Sequence, residues 1–422
     1  MPDHSSTLAA LREPGAFGGN PPLWAEARAA RPARLPFLEP AAIPARRRAA
    51  GLPPDRDPLL VAMAAEITAS PELSALAWYL HWRTFLIPEN GSAWGAPALL
   101  ERLGNRAGLF YLLLSLEFPP ALADLHRRRG YPESVTAQTV QQIACYESNH
   151  LRGRGGPGMY ENQFIWLAAY FSDPFVRLGR FEYQLHGFGG GVRVWRRTAD
   201  GLVLALAEEG SRVSDDGLRL DAKAPADQGW TARCEESADA VAGFPVDPAG
   251  RILRRTIRLD RTAWRPFLTK GDPVLGIHIP AGGGMTPEAV ADSFRQALDF
   301  FPRHHPGTPF AAAVCTTWFL DPRLAGILPA EANMLRFQRS VYQFPVCGGP
   351  GGLWFVFQKN PATTGNADLP RDTALRRSLA GYLKAGGQWA GGGMFIPRED
   401  MTAPRENRYR EAALICQGAS AF

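Results

Sequence analysis

Apolar positions between residues 55 and 171 recur every three or four residues, the spacing that lays a single stripe along an α-helix. Leu59, Leu60, Met63, Ala64 and Ile67 form one stripe, and Leu73 to Phe85 a second that carries Trp78, Tyr79, Trp82 and Phe85. Further helices are predicted at Leu99–Leu103, Leu109–Leu116, Val135–Tyr146 and Tyr160–Phe171. At Pro174 the period shortens to two. Phe175–His186 alternates apolar and polar, and Val192–Arg196 and Gly201–Ala207 follow it, which predicts a meander of antiparallel strands. Residues 208–250 are polar and rich in Gly and Asp, and read as loops with a short strand at Leu218–Leu220. Ile252–Asp260 alternates again, and Thr262–Leu268 reads as a turn of helix.

The most structured local signal is Pro273–Phe301. A short apolar run ends at Pro280, a glycine triplet follows at Gly282–Gly284, and a helix then opens with Thr286 as cap and Pro287 in its first turn. Glu288 and Asp292 add acid near the positive end of the helix dipole. Val290, Phe294, Ala297, Leu298 and Phe301 supply one apolar face. A strand, a glycine loop and a helix N-terminus together present backbone N–H groups to an anion, commonly a phosphate. A connecting turn would carry the same residues. Downstream, Phe310–Leu320 and Leu353–Phe357 read as strands, Ala330–Tyr342 and Thr373–Lys384 as helices, and Gly391–Pro397 as an extended segment. The fold class is α+β, with an all-helical domain at 51–172 before a mixed domain at 173–422 built on a twisted, mostly antiparallel sheet. Residues 1–50, rich in Ala, Pro and Arg, read as an extended arm.

Composition sharpens this only in places. With 422 residues the chain exceeds one typical core, and 45% hydrophobic against 21% charged residues is the balance of a globular protein. The longest apolar run, Leu109–Leu116, falls short of the roughly 18 residues of a membrane span, so no membrane segment is predicted. The net charge of +5 rests almost wholly on arginine, with lysine only at 223, 270, 359 and 384. The Arg clusters of the arm are read as solvated linker rather than as a nucleic-acid contact. Five scattered cysteines without C-x-x-C spacing suit a reduced, cytoplasmic setting. His304-His305 has no acidic or cysteine partner at ligand spacing, so no metal is predicted.

Several phrases carry a family resemblance: Arg177–Tyr183, Ile277–Pro280 with its glycines, Thr317–Pro322, Leu328–Asn333 and Arg336–Gln338. They and the element order resemble bacterial two-domain acyltransferases, which join a helical N-terminal domain to a GNAT-like C-terminal one. That resemblance implies direct transfer from acyl-CoA or acetyl-CoA to the amine of a small molecule or peptide. It implies a pyrophosphate cradle at Ile279, Ala281, Gly282, Gly283, Gly284, Met285 and Thr286. Ile279 stands where the fold usually places Gln or Arg, so backbone amides must do the binding.

His278, where the strand meets the loop, is the first candidate for general base, since imidazole titrates near neutrality; a structural histidine beneath the loop is the alternative. Glu182 and His186, four residues apart on the early strand, share a sheet face and could line the site together, or stand exposed on that strand. Asn333 is the candidate contact for the pantetheine or adenine part of CoA, or else a capping residue. Tyr342 or Ser340 could protonate the leaving thiolate. Cys315 precedes Trp318 and Phe319 in an apolar strand without a base beside it. Two rivals stand beside the enzyme: a non-catalytic GNAT-like module that binds a ligand or partner, and a nucleic-acid-associated factor using the arm.

Overall fold

The computed structural model describes residues 1–12, 21–88, 94–361 and 363–418. They group into two compact units: Met1–Leu178 with Glu182–Gln184 and Ile279–Gly282, and Gly179–Phe181 with Leu185–His278 and Gly283–Phe422.

The first unit is helical and larger than expected at its N-terminal side. The stretch read as an extended arm folds into the helices His4–Ala10, Pro21–Ala29 and Ile43–Ala49; residues 13–20 lie outside the described residues. Leu8, Leu11, Trp24, Phe37, Leu38 and Ile43 are buried in the same core as Trp78, Phe110 and Phe164. The indole of Trp78 donates to Ala27 O, and Arg47 is held by both carboxylate oxygens of Asp57 at 3.0 and 3.1 Å. The Ala/Pro/Arg composition hid these few large anchors, each of which contributes about 1.5–3 kcal/mol on burial. The run Leu100–Arg128, in contrast to the sequence expectation, is long and apolar enough by length and composition to cross a membrane. Two thirds of its apolar window (67%) is buried inside the protein. The first strand, Phe175–Leu178, counts with this unit, where Thr139 Oγ1 accepts from Arg177 N at 3.0 Å.

The second unit holds the remaining strands, except Glu182–Gln184 of the strand Phe181–Gly187, which count with the first. Pro273–His278, Ala312–Thr317, Gly392–Pro397 and Tyr342–Phe344 are neighbours in that order. Ala312–Thr317 pairs antiparallel with Gly392–Pro397 along its whole length. Its parallel pairing with Pro273–His278 covers only Leu275↔Ala313 and Gly276↔Val314. The pairing thus ends before Ile277 and His278 on one strand and before Cys315 on the other. Asp321, fully buried, accepts from Ala390 N and Gly391 N at 2.8 and 3.1 Å and pins the entry to the closing strand.

Three local readings change. Thr262–Leu268 is not helical: Trp264–Leu268 is a strand paired with Val192–Arg197, at a sheet edge where Pro266 is tolerated and the register shifts. Leu353–Phe357 is not a strand. Pro350–Leu353 forms a 3-10 turn that runs into the short helix Trp354–Phe357, and Phe355 is 65% exposed. A five-residue apolar run does not distinguish the two by periodicity. Between 208 and 250, the expected loops hold short strands at Arg212–Val213, Trp230–Thr231, Cys234–Glu236, Ala240–Gly243 and Pro245–Asp247. Cys234–Glu236 and Ala240–Gly243 pair with each other as a short hairpin, whereas Arg212–Val213 pairs with Trp230–Thr231 and Pro245–Asp247 with Val203–Ala207, partners that a local pattern cannot show.

Candidate functional site

The helix Pro287–His304 begins as its sequence dictates. Thr286 Oγ1 accepts from Ala289 N at 3.3 Å, Pro287 takes the first position and Glu288 sits in the first turn. Val290, Phe294, Ala297 and Phe301 are buried along one face. Ser293 Oγ accepts from Phe181 N at 3.1 Å, tying the helix to the strand Phe181–Gly187. Gly282 and Gly283 have φ of +80° and +68°, a left-handed backbone that suits glycine. Among the described residues, the N–H groups of Gly283, Gly284 and Met285 donate to no protein acceptor.

One cation at this loop went unread in the sequence. Arg180 Nε donates to Gly284 O at 3.1 Å, and a Cβ on Gly283 would lie 3.7 Å from Arg180 Cδ and Nε. The loop lacks a Gln or Arg at Ile279, but this guanidinium, 104 residues away in sequence, stands against it. No local motif could have found it; only the phrase Arg177–Tyr183 hinted at it.

Beside the helix start lies a cavity of about 280 Å³. Met285, Pro287 and Val290 form one wall, Arg336, Phe337 and Ser340 another, and Pro404, Arg405 and Glu406 the third. The second wall is the helix Asn333–Ser340. Asn333 opens that helix, partly buried, one turn before the residues that line the cavity. Ser340 Oγ donates to Phe337 O at 2.8 Å.

The acid–base candidates divide. His278 ends the strand Pro273–His278, two residues past the last pair of the parallel ladder. Burial, and then the neighbouring His186, push its pKa down to about 4, so the imidazole is neutral throughout the neutral range. His186 is exposed, with Nδ1 2.8 Å from Gly187 O. Tyr342 does not end a helix but begins a strand. It is fully buried, donating to Val246 O at 2.6 Å and accepting from Ala205 N at 3.2 Å, and burial holds its phenol well above the usual range. That hydroxyl joins two strands and has no proton to deliver to a thiolate. Cys315 is buried, its thiol pushed up to about 12, and is no nucleophile.

In the first unit, Glu182 is 2% exposed and accepts from Tyr170 Oη at 2.7 Å. Burial first, then the Glu182 carboxylate, raise the phenols of Tyr170 and Tyr146 far above their ordinary value. Glu182 is therefore a buried, hydrogen-bonded carboxylate, not an exposed strand residue. Ile279, Ala281 and Gly282 also count with this unit, where Cys145 Sγ donates to Ala281 O at 3.4 Å. Among the described residues no group of three or more His, Cys, Asp or Glu could hold a metal ion.

Comparison with known proteins identifies the frame. No curated protein matches the chain. Solved acyltransferases match almost end to end. One, in complex with decanoyl-CoA, is 23% identical over 94% of this chain and 99% of its own, with a TM-score of 0.60. A second, with CoA and 10C-teicoplanin, is 21% identical over 94% and 99%, with a TM-score of 0.61. A mutant enzyme with octanoyl-CoA is 22% identical over 93% and 98%, with a TM-score of 0.61. At this identity the likeness establishes the fold. Residues 41–172 match the N-acyltransferase N-terminal domain family and residues 175–395 the GNAT-like C-terminal domain family. The chain belongs to the two-domain N-acyltransferases, in which that helical domain precedes a GNAT-like one.

Proposed function

We propose that the protein moves an acyl group from acyl-CoA to the amine of a small-molecule acceptor by direct transfer. The observation that carries this reading is the loop Gly283–Met285. Its backbone N–H groups lack protein acceptors among the described residues, and it sits at the start of an 18-residue helix with Arg180 against it. Gly283, Gly284 and Met285 would hold the donor's diphosphate. The end of Pro273–His278, past its short ladder with Ala312–Thr317, would receive the extended pantetheine and bring the thioester near His278.

A neutral imidazole with a pKa of about 4 is too weak to deprotonate an alkylammonium before attack. His278 takes the proton later, once the C–N bond has formed and the nitrogen has become acidic. The acceptor amine therefore has to arrive neutral, and the rate follows the amine's own ionisation. Two of the structural neighbours were solved with teicoplanin compounds, which supports a small-molecule acceptor here. A cytoplasmic setting remains part of this proposal, and all five cysteines are free.

The test is thiol release from octanoyl-CoA across a panel of amines, with the amide product followed by mass. Amine-dependent release with matching amide is the expected result. Donor binding without release across the panel would leave a ligand-binding module instead.

A further inference from the structure

We infer that the helical unit carries a binding site of its own, a cavity that takes the primary ammonium group of a small molecule between Glu161 and Nε2 of His150. The cavity lies among the helices Ala107–Ser115, Gln142–Arg154 and Glu161–Trp166. Every residue that lines it belongs to the first unit, so the inference does not rest on the acyl-CoA reading. Its volume is about 40 Å³. A water needs about 10–15 Å³, so there is room for a headgroup of about three atoms and none for a sugar or a nucleotide. Leu100, 45% exposed, is part of the lining, so the cavity reaches the surface and a longer ligand can extend outward.

His150 sets what the cavity accepts. Its ring is 5% exposed and lies between two glycines: a Cβ on Gly108 would fall 2.2 Å from Nε2, and one on Gly158 2.7 Å from Cε1. Nδ1 lies 2.8 Å from Gly156 O, an atom that can only accept, so Nδ1 carries the proton and Nε2 keeps its lone pair. Burial lowers the pKa of the imidazole and keeps it neutral. Nε2 has no hydrogen-bond partner among the described residues, and the edge that carries it faces Gly108, which lines the cavity. A buried acceptor of this kind calls for a ligand that brings a donor. Glu161 makes that donor a charged one. It lines the same cavity with neither an ion pair nor a side-chain hydrogen bond among the described residues. Tyr111 and Tyr160 add ring surface, which suits a cation. Among the lining residues Arg154 is the opposing charge, and its guanidinium carbon lies 5.8 Å from the centre of the Tyr160 ring, stacked rather than paired with an acid.

The experiment is NMR of the histidine-labelled full chain, titrated at matched ionic strength with ethylammonium chloride, ethanol or sodium acetate. His150→Gln assigns the ring. Ethylammonium is expected to move the His150 Nε2 resonance saturably, with a Kd of about 1–10 mM, the range open to so small a ligand. Ethanol should be at least about tenfold weaker, because it leaves Glu161 without a cation. Glu161→Gln keeps the shape, removes the charge and should weaken ethylammonium about tenfold or more. Glu133→Gln, at an exposed carboxylate outside the cavity, should leave it unchanged. No saturable shift by about 100 mM ethylammonium, an equal response to ethanol, or an affinity that Glu161→Gln leaves intact would overturn the site. Acetate binding in place of ethylammonium would overturn it too, and would give the cavity to Arg154 and an anion. No CoA enters the titration, so this result and the test of acyl transfer fail or succeed separately.

Discussion

Acid titration tests the role of His278 most sharply. Its imidazole ordinarily titrates near 6.5, and burial with His186 nearby lowers it to about 4. At about 1.36 kcal/mol per unit, the folded protein disfavours the imidazolium by roughly 3 kcal/mol. Because the folded pKa lies below the unfolded one, stability is intact above pH 6.5 and falls as pH drops toward 4, where the loss levels off. At pH 5 His278 alone should cost about 2 kcal/mol relative to pH 7. His81 and His126, also lowered to about 4 by burial, add losses over the same window, so the variant His278→Gln is needed to isolate one share. The assay is NMR of histidine-labelled protein, with His278→Gln assigning the resonance, alongside urea unfolding at both pH values. A midpoint near 4 and a smaller pH dependence in His278→Gln are expected. A midpoint above 6 would refute the burial argument and restore an ordinary neutral-pH base.

Other consequences are independent of that one. Deleting residues 1–50 removes Leu8, Leu11, Trp24, Phe37, Leu38 and Ile43 from the first core. At about 1.5–3 kcal/mol each, the loss of roughly 9–18 kcal/mol is as large as the usual stability of a domain, about 5–15 kcal/mol, so the truncated chain should be insoluble or lose its cooperative transition. A shift of only a few degrees would show those contacts to be dispensable. Tyr170→Phe removes the donor to buried Glu182 and should cost about 1.5–3 kcal/mol by chemical denaturation; an unchanged midpoint would mean the bond contributes nothing net. At Gly283, alanine and aspartate share the strain of φ +68°, but only aspartate sets a carboxylate at the loop. Gly283→Asp should therefore bind CoA about tenfold more weakly than Gly283→Ala, and equal affinities would take the loop out of the site.

The parts of this molecule legible in its sequence are those fixed by neighbours within about one helical turn. The start of the helix Pro287–His304 is set by Thr286, Pro287 and Glu288, and it forms where those residues stand. The same holds for the helical stripes before residue 172. What escaped was decided at long range. Arg180 reaches Gly284 across the chain, and Trp264–Leu268 is a strand because Val192–Arg197 offers it a ladder. Tyr342 looked like a proton donor until its two backbone partners, Ala205 and Val246, filled its hydroxyl. The cavity beside Met285 is assembled from three separate segments, so Arg336 and Arg405 carried no signal as a pair. The arm failed for a different reason: its composition was averaged, and six large side chains outweighed the average.

In the proposed function the loop Gly283–Met285 is where an acyl-CoA would be held. Calorimetry of the full chain with CoA measures this directly. Saturable one-to-one binding at micromolar concentration, weakened by added salt and by Gly283→Asp, is the predicted result. No heat at millimolar CoA from a folded protein would contradict it.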